Sequence, residues 1–262
     1  MTGTITSPPA SSGKPPSHTL REPPAPAASL REEWARYLAF VRRPRLPTAP
    51  ARFGTGALAT ARLFMLDIAI MAVLLTALFT AVAAGLELPE NSLNQLELDT
   101  ATILGIVVAA PLLEEIAFRS WLSGRPGHVA APLIAVAGAI GAGAIDGAGG
   151  ETWMQALAML GGFAAAIAVL ALTWSRPPMR WFARLFPLFF WASTALFALV
   201  HLFNYEDGAT ALLLVLIVPQ FVLGTILAYT RVMHGLWSAI ALHVAHNGLI
   251  VAIVLAGSRL GV

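Results

Sequence analysis

Residues 101–119 read Ala101-Thr-Ile-Leu-Gly-Ile-Val-Val-Ala-Ala-Pro-Leu-Leu-Glu114-Glu115-Ile-Ala-Phe-Arg119, an apolar run that carries two adjacent carboxylates. A run of this length and polarity crosses a bilayer as a helix. As a helix it sets Glu114 on one face with Phe118 and puts Glu115 one turn from Arg119. A charge near the middle of a membrane helix costs about 2.5–3.5 kcal/mol on insertion scales, so a pair there needs a reason. An ion pair between Glu115 and Arg119 accounts for one carboxylate. It leaves Glu114 unexplained, and Glu114 is therefore a functional candidate.

The rest of the chain repeats that character. Of 262 residues 57% are hydrophobic and 11% charged, with a mean hydropathy of +0.74. Soluble domains carry about a quarter charged residues, so the composition predicts an all-α polytopic membrane helix bundle. Its 22 glycines and 18 prolines do not oppose this, because membrane helices tolerate both. Cysteine is absent, which excludes disulfides, thiolate catalysis and cysteine-ligated metals. The net charge of +2 comes with a basic N-terminal arm and implies no nucleic-acid partner.

Residues 1–28, rich in Pro, Ser and Ala, read as a disordered arm, with no secretory signal. Ser29-Leu-Arg-Glu32 is a capping box opening a short amphipathic helix over 29–46, with Leu30, Trp34, Tyr37, Leu38 and Val41 on its apolar side. That pattern suits a helix on the membrane surface, with docking on a partner protein as the competing reading. The transmembrane domain is expected over 53–262, with about seven spans at 56–85, 101–123, 129–146, 152–174, 186–204, 210–230 and 237–257. The third is weak as an isolated helix, since Gly138, Gly141, Gly143 and Gly147 suit close packing on a neighbour.

Loop charges alternate. Arg42, Arg43, Arg45 and Arg52 precede span one; Arg125, then Arg176, Arg180 and Arg184, and then Arg231 follow spans two, four and six. Glu87, Glu90, Glu97 and Asp99, then Asp146 and Glu151, then Glu206 and Asp207 occupy the other loops. The positive-inside rule places the N-terminus in the cytoplasm of what we expect to be a bacterial plasma membrane.

Few ionisable groups remain within the spans. Asp67 in span one shows no partner in the sequence. Phe197 and His201 lie one turn apart in span five, and His243 and Asn247 do so in span seven, with His246 offset. A carboxylate pair, a histidine and a histidine–asparagine pair on three helices suit water activation, with a carboxylate or imidazole as general base and N–H groups at an oxyanion. Zinc held by His201, His243 and Glu114 is an open alternative. There is no H-E-x-x-H helix and no G-x-S-x-G elbow. A transporter or proton relay using the same Glu and His residues is the rival function. No haem is expected, although His201 and His243 could serve as its axial ligands.

The ordered set Glu114-Glu115-x-x-x-Arg119, Phe197-x-x-x-His201 and His243-x-x-x-Asn247 resembles the CPBP family. That family comprises the type II CAAX prenyl endopeptidases and the bacteriocin-processing or bacteriocin-immunity membrane proteases, also called the ABI family. The resemblance covers roughly residues 100–250. It implies an intramembrane endopeptidase, of glutamate-dependent or metalloprotease type, acting on a membrane-associated protein or peptide. In that reading Glu114 activates water with help from His201. His243 and Asn247 stabilise the oxyanion, Glu115 and Arg119 support the site, and Phe197 packs.

One departure concerns residues 126–180, which lie between the first two motifs where the family usually has little more than a loop. They are expected to add two helices, an even number that preserves the orientation of the flanking spans but could wall off or gate substrate entry. A second tension is depth. At 1.5 Å per residue, Glu114 and His243 lie roughly 12–14 Å from their span ends, whereas His201 lies about 24 Å from residue 185. A later start of span five, after Pro187, or a strong tilt would narrow the gap.

Overall fold

The computed structural model describes residues 27–47, 55–205 and 208–260. The arm expected over 1–28, all but its last two residues, lies outside the described residues, as do Arg52, Glu206 and Asp207. Among the described residues every regular element is a helix. Seven helical segments are long and apolar enough to cross a bilayer: Gly56–Ala83, Thr100–Ser123, Pro126–Gly147, Thr152–Leu172, Arg180–Asn204, Thr210–His234 and Leu236–Ser258. The chain is an all-α polytopic membrane helix bundle, as expected from its composition.

Helix α1, Leu30–Arg42, starts where the capping box predicted: Ser29 accepts the Glu32 N–H, and Glu32 reaches back to the N–H of Ala28. Its buried residues are Glu33 and Tyr37, while Leu30 and Leu38 stay exposed. The helix docks on α2, Thr55–Ala83, where Trp34 Nε1 donates to the Arg62 carbonyl at 2.8 Å and Arg62 donates to Ala27.

The second span is built in pieces. Asp99 caps α3, Thr100–Leu104, by accepting the Thr102 N–H, a bond that holds its carboxyl below the usual range. A π-helical turn, Gly105–Ala109, then leads into α4, Ala110–Arg119, and a 3₁₀ turn, Ser120–Ser123. Pro111 explains the π turn: it has no N–H to offer one turn back. The Ala110 N–H bonds to Gly105, and Ile106 is thereby deprived of its helical donor, since the residue five ahead of it is Pro111.

Helices α5, Pro126–Gly147, and α6, Thr152–Leu172, form a hairpin. They cross where Gly138 faces Gly162, so closely that a Cβ on Gly138 would lie 2.9 Å from the Gly162 Cα. The glycines that weaken α5 on its own make this contact possible.

Helix α7, Arg180–Val200, corrects the expected start at 186: it begins six residues earlier, with Pro187 inside it. A later start therefore does not explain the depth of His201. Phe182 and Phe189 both meet Trp121, with ring centroids 6.2 and 6.0 Å apart, and Ser193 Oγ donates to the Phe118 carbonyl at 2.6 Å.

A short α8, Thr210–Leu216, precedes α9, Val218–His234, and α10, Leu236–Leu260. Helix α9 is the centre of the bundle: every residue from Leu223 to Thr230 is buried, as expected for a helix packed on all sides. Its Tyr229, with Tyr37, Leu63, Phe197 and Leu242, joins elements α1, α2, α7 and α10 in one apolar core. The loops confirm an alternating traverse. Asn91 after span one bridges Tyr205 after span five, and Ser92 bonds to Asn204.

Candidate active site

The C-terminal carbonyls of α4 have no helical donors of their own. Side chains from two other helices supply them. Ser193 of α7 bonds Phe118, while Arg231 of α9 donates Nε to Arg119 and Nη2 to Ser120, each at 3.1 Å. Arg231 was expected in a loop after span six; α9 instead runs on to His234, and Arg231 fastens α4 from within it. This fixes the position of the two carboxylates one turn earlier.

Glu115 and Arg119 are completely buried and form the expected ion pair, 3.1 Å from Arg119 Nη1 to Glu115 Oε1. The Arg119 guanidinium lies 3.8 Å over the Phe197 ring, within cation–π range. Gly224 makes room for this: a Cβ there would stand 3.2 Å from Phe197 Cδ1 and 3.5 Å from Arg119 Nη2.

Glu115 also meets His243. Its Oε1 lies 3.0 Å from Nδ1. A carboxylate only accepts, so Nδ1–H donates, and Nε2 is the nitrogen left to face the site. It looks toward Glu114 Oε2 at 3.7 Å, too far for a direct hydrogen bond and close enough for one oxygen to bond both. The side chain of Glu114 is 29% exposed, that of Glu115 not at all. Of the two adjacent carboxylates, only Glu114 is open to a substrate.

His201 opens the 3₁₀ turn His201–Asn204 and stands edge-on to Phe197, centroids 4.8 Å apart; the same Phe197 ring is 5.7 Å from His243. Phe197 is thus the spacer between the two histidines. His201 Nδ1 donates to the Phe197 carbonyl at 2.7 Å, which leaves Nε2 as an acceptor. No hydrogen bond or ion pair joins His201 to Glu114. Asn247, one turn beyond His243, gives an N–H to Ile106 at 2.9 Å, the carbonyl that the π turn leaves without a backbone donor. Its amide carries a second N–H.

Five sequence candidates (Glu114, Glu115, Arg119, Phe197 and His243) therefore form one contact network, with His201 and Asn247 on its margins. One pair escaped the sequence reading. His246 Nδ1 bonds Asp67 Oδ2 at 2.6 Å, with Asp67 fully buried. Each is a polar residue in an apolar span that the three motifs leave unassigned, and that is the signal that they belong together.

A zinc site needs three protein ligands around one point. Among the described residues no three His, Cys, Asp or Glu side chains converge in that way. His201, His243 and Glu114 do not fit the metal as they stand.

Comparison with known families matches residues 96–249 to the one described as type II CAAX prenyl endopeptidase Rce1-like. Curated proteins and solved structures give no match. The matched segment holds all three motifs and most of the bundle. The chain belongs to the Rce1-like type II CAAX prenyl endopeptidase family, a family of membrane proteases.

Proposed function

We propose that the chain is an intramembrane endopeptidase in which Glu114 activates water to hydrolyse a peptide bond of a membrane-associated protein or peptide. The observation that carries this is the asymmetry of the carboxylates. Glu115 is buried and consumed by Arg119 and His243, whereas Glu114 is accessible and faces His243 Nε2 across a 3.7 Å gap.

In the proposed reaction a water bonded to Glu114 attacks the scissile carbonyl carbon, and Glu114 takes its proton. His201 Nε2, free to accept, helps orient that water. The carbonyl oxygen becomes an oxyanion, which the second N–H of Asn247 stabilises, joined by His243 Nε2 when that ring carries a proton on both nitrogens. Glu115 holds the ring of His243 through Nδ1, as a buried carboxylate holds the histidine of a catalytic triad. On collapse of the intermediate the C–N bond breaks, and Glu114 returns the proton to the leaving amine.

The test is comparative proteomics of membranes carrying wild-type or Glu114→Ala protein. Processed termini present only with the wild type identify substrates, including whether they are prenylated. The variant is expected to lose cleavage by 10²-fold or more, in the range of general-base catalysis, with unchanged membrane insertion. A variant that still cleaves such a substrate removes Glu114 from the role.

A further inference from the structure

Away from the buried carboxylates, a cleft lies where the segment after α1 meets the start of α7. Arg42 is the last residue of α1, Arg43 and Arg45 follow it, and Arg184 lies in α7. All four are exposed, no carboxylate lines the cleft, and among the described residues none of the four is in an ion pair. Four guanidinium groups brought together without an anion repel one another, which favours an anionic occupant.

The wall below them is apolar. Ala183, Pro187 and Trp191 follow at intervals of four, so they form one stripe running about 12 Å down α7. Trp191 is held in place by stacking on Phe221, with centroids 6.0 Å apart and planes 11° apart. Pro187 has no N–H, so the Ala183 carbonyl lacks its helical donor at the lip of the cleft. Charge at the mouth, an aromatic ring, and an apolar track into the bilayer match the headgroup-to-chain profile of one lipid.

We propose that this cleft binds an anionic glycerophospholipid of the leaflet on the arginine side, with its phosphate among Arg43, Arg45 and Arg184 and its upper acyl chain along Ala183, Pro187 and Trp191. A free phosphate would use the arginines alone. The stripe, which no soluble anion would need, favours the lipid.

Purified full-length protein in detergent is titrated with phosphatidylglycerol or phosphatidylcholine, and bound lipid is read by native mass spectrometry. One phosphatidylglycerol per chain is expected at tenfold lower concentration than phosphatidylcholine. The R43A/R45A/R184A variant should weaken it about a hundredfold, as each arginine at an anionic headgroup contributes roughly fivefold. The R43K/R45K/R184K variant keeps the charge and should stay within tenfold of wild type. Equal retention of the two lipids, or an unchanged alanine variant, overturns the proposal. So does displacement of phosphatidylglycerol by equimolar sn-glycerol 3-phosphate or inorganic phosphate, which would mark a site for a soluble anion.

Discussion

The hairpin of α5 and α6 and the assembly of α4, α7, α9 and α10 both belong to apolar segments long enough to cross the bilayer, yet they are built on opposite principles. The hairpin packs backbone on backbone at Gly138 and Gly162 and exposes Leu133, Ile140, Leu157 and Ile167. Its polar bonds are at its ends, where Ser123 meets His128 and Gln155 meets Asp146. The other assembly buries Glu115, Arg119 and His243 in its middle and fastens helix to helix with side-chain bonds to backbone carbonyls. Hydropathy marks both as spans. What separates structure from chemistry is where the charges are spent.

That contrast predicts unequal responses to mutation. The largest is at Arg119. Arg119→Met leaves Glu115 as a fully buried carboxylate without its ion-pair partner, held only by the His243 N–H, which costs about 3–5 kcal/mol. The double variant Glu115→Gln with Arg119→Met removes both charges and should recover a good part of that stability without recovering cleavage. Denaturation in detergent checks the first, and an activity assay the second. Equal stability of the two variants would mean that the pair is not a coupled unit.

Gly224→Ala comes next. The added methyl presses on Phe197, Thr194 and Arg119 at 3.2, 3.3 and 3.5 Å, so overpacking should cost roughly 1–3 kcal/mol. Because Phe197 spaces the two histidines, activity should fall more than stability would account for. A variant that is destabilised yet fully active per folded molecule would show that this spacing is not critical.

Glu33 probes the seam between α1 and the core. It is buried, bonded by Tyr229 and faced by His234 at 3.6 Å. The His234 side chain holds its carboxyl below the ordinary 4.5. A folded-state value below the unfolded one contributes stability above that ordinary range, and the contribution is lost as pH falls through the folded-state value. Glu33→Gln should therefore be less stable than wild type by about 1–2 kcal/mol at neutral pH. The gap should close on acidification below the usual carboxylate range. Melting curves of both proteins at several pH values give the comparison, and a gap that persists in acid would assign it to packing.

The sequence made much of this legible because the relevant geometry is local. Glu115–Arg119, Phe197–His201 and His243–Asn247 are one turn apart, and helical spacing alone sets them on shared faces. The partnership of Asp67 and His246 joins spans one and seven across 179 residues, and no periodicity reports it. The Ser193 bond that ties α7 to the Phe118 carbonyl is a property of packing rather than of helical spacing. Arg180 and Arg184 hid the start of that helix, because a charge reads as a loop while the backbone continues through it. The π turn had its cause in view at Pro111, but its use, a free Ile106 carbonyl for Asn247, needed the seventh span in place.

The smallest effect on chemistry should come from the hairpin, and it decides what the hairpin is for. A Cβ at Gly138 meets the backbone of Gly162 and not a side chain that can turn aside, so Gly138→Leu must push α5 and α6 apart. If the hairpin only packs against itself, amide exchange over 126–172 should rise sharply while kcat/KM changes less than about twofold. The hairpin touches the remainder mainly through the turn Ser120–Ser123, at the foot of α4. A gate hinged there would respond differently: separating the helices would alter entry, changing KM while leaving kcat in place. The two readings share a structure and differ in that one ratio. A shift in kcat alone would contradict both, because it would place the hairpin in the reaction itself, where no side chain of α5 or α6 bonds to Glu114, His201, His243 or Asn247.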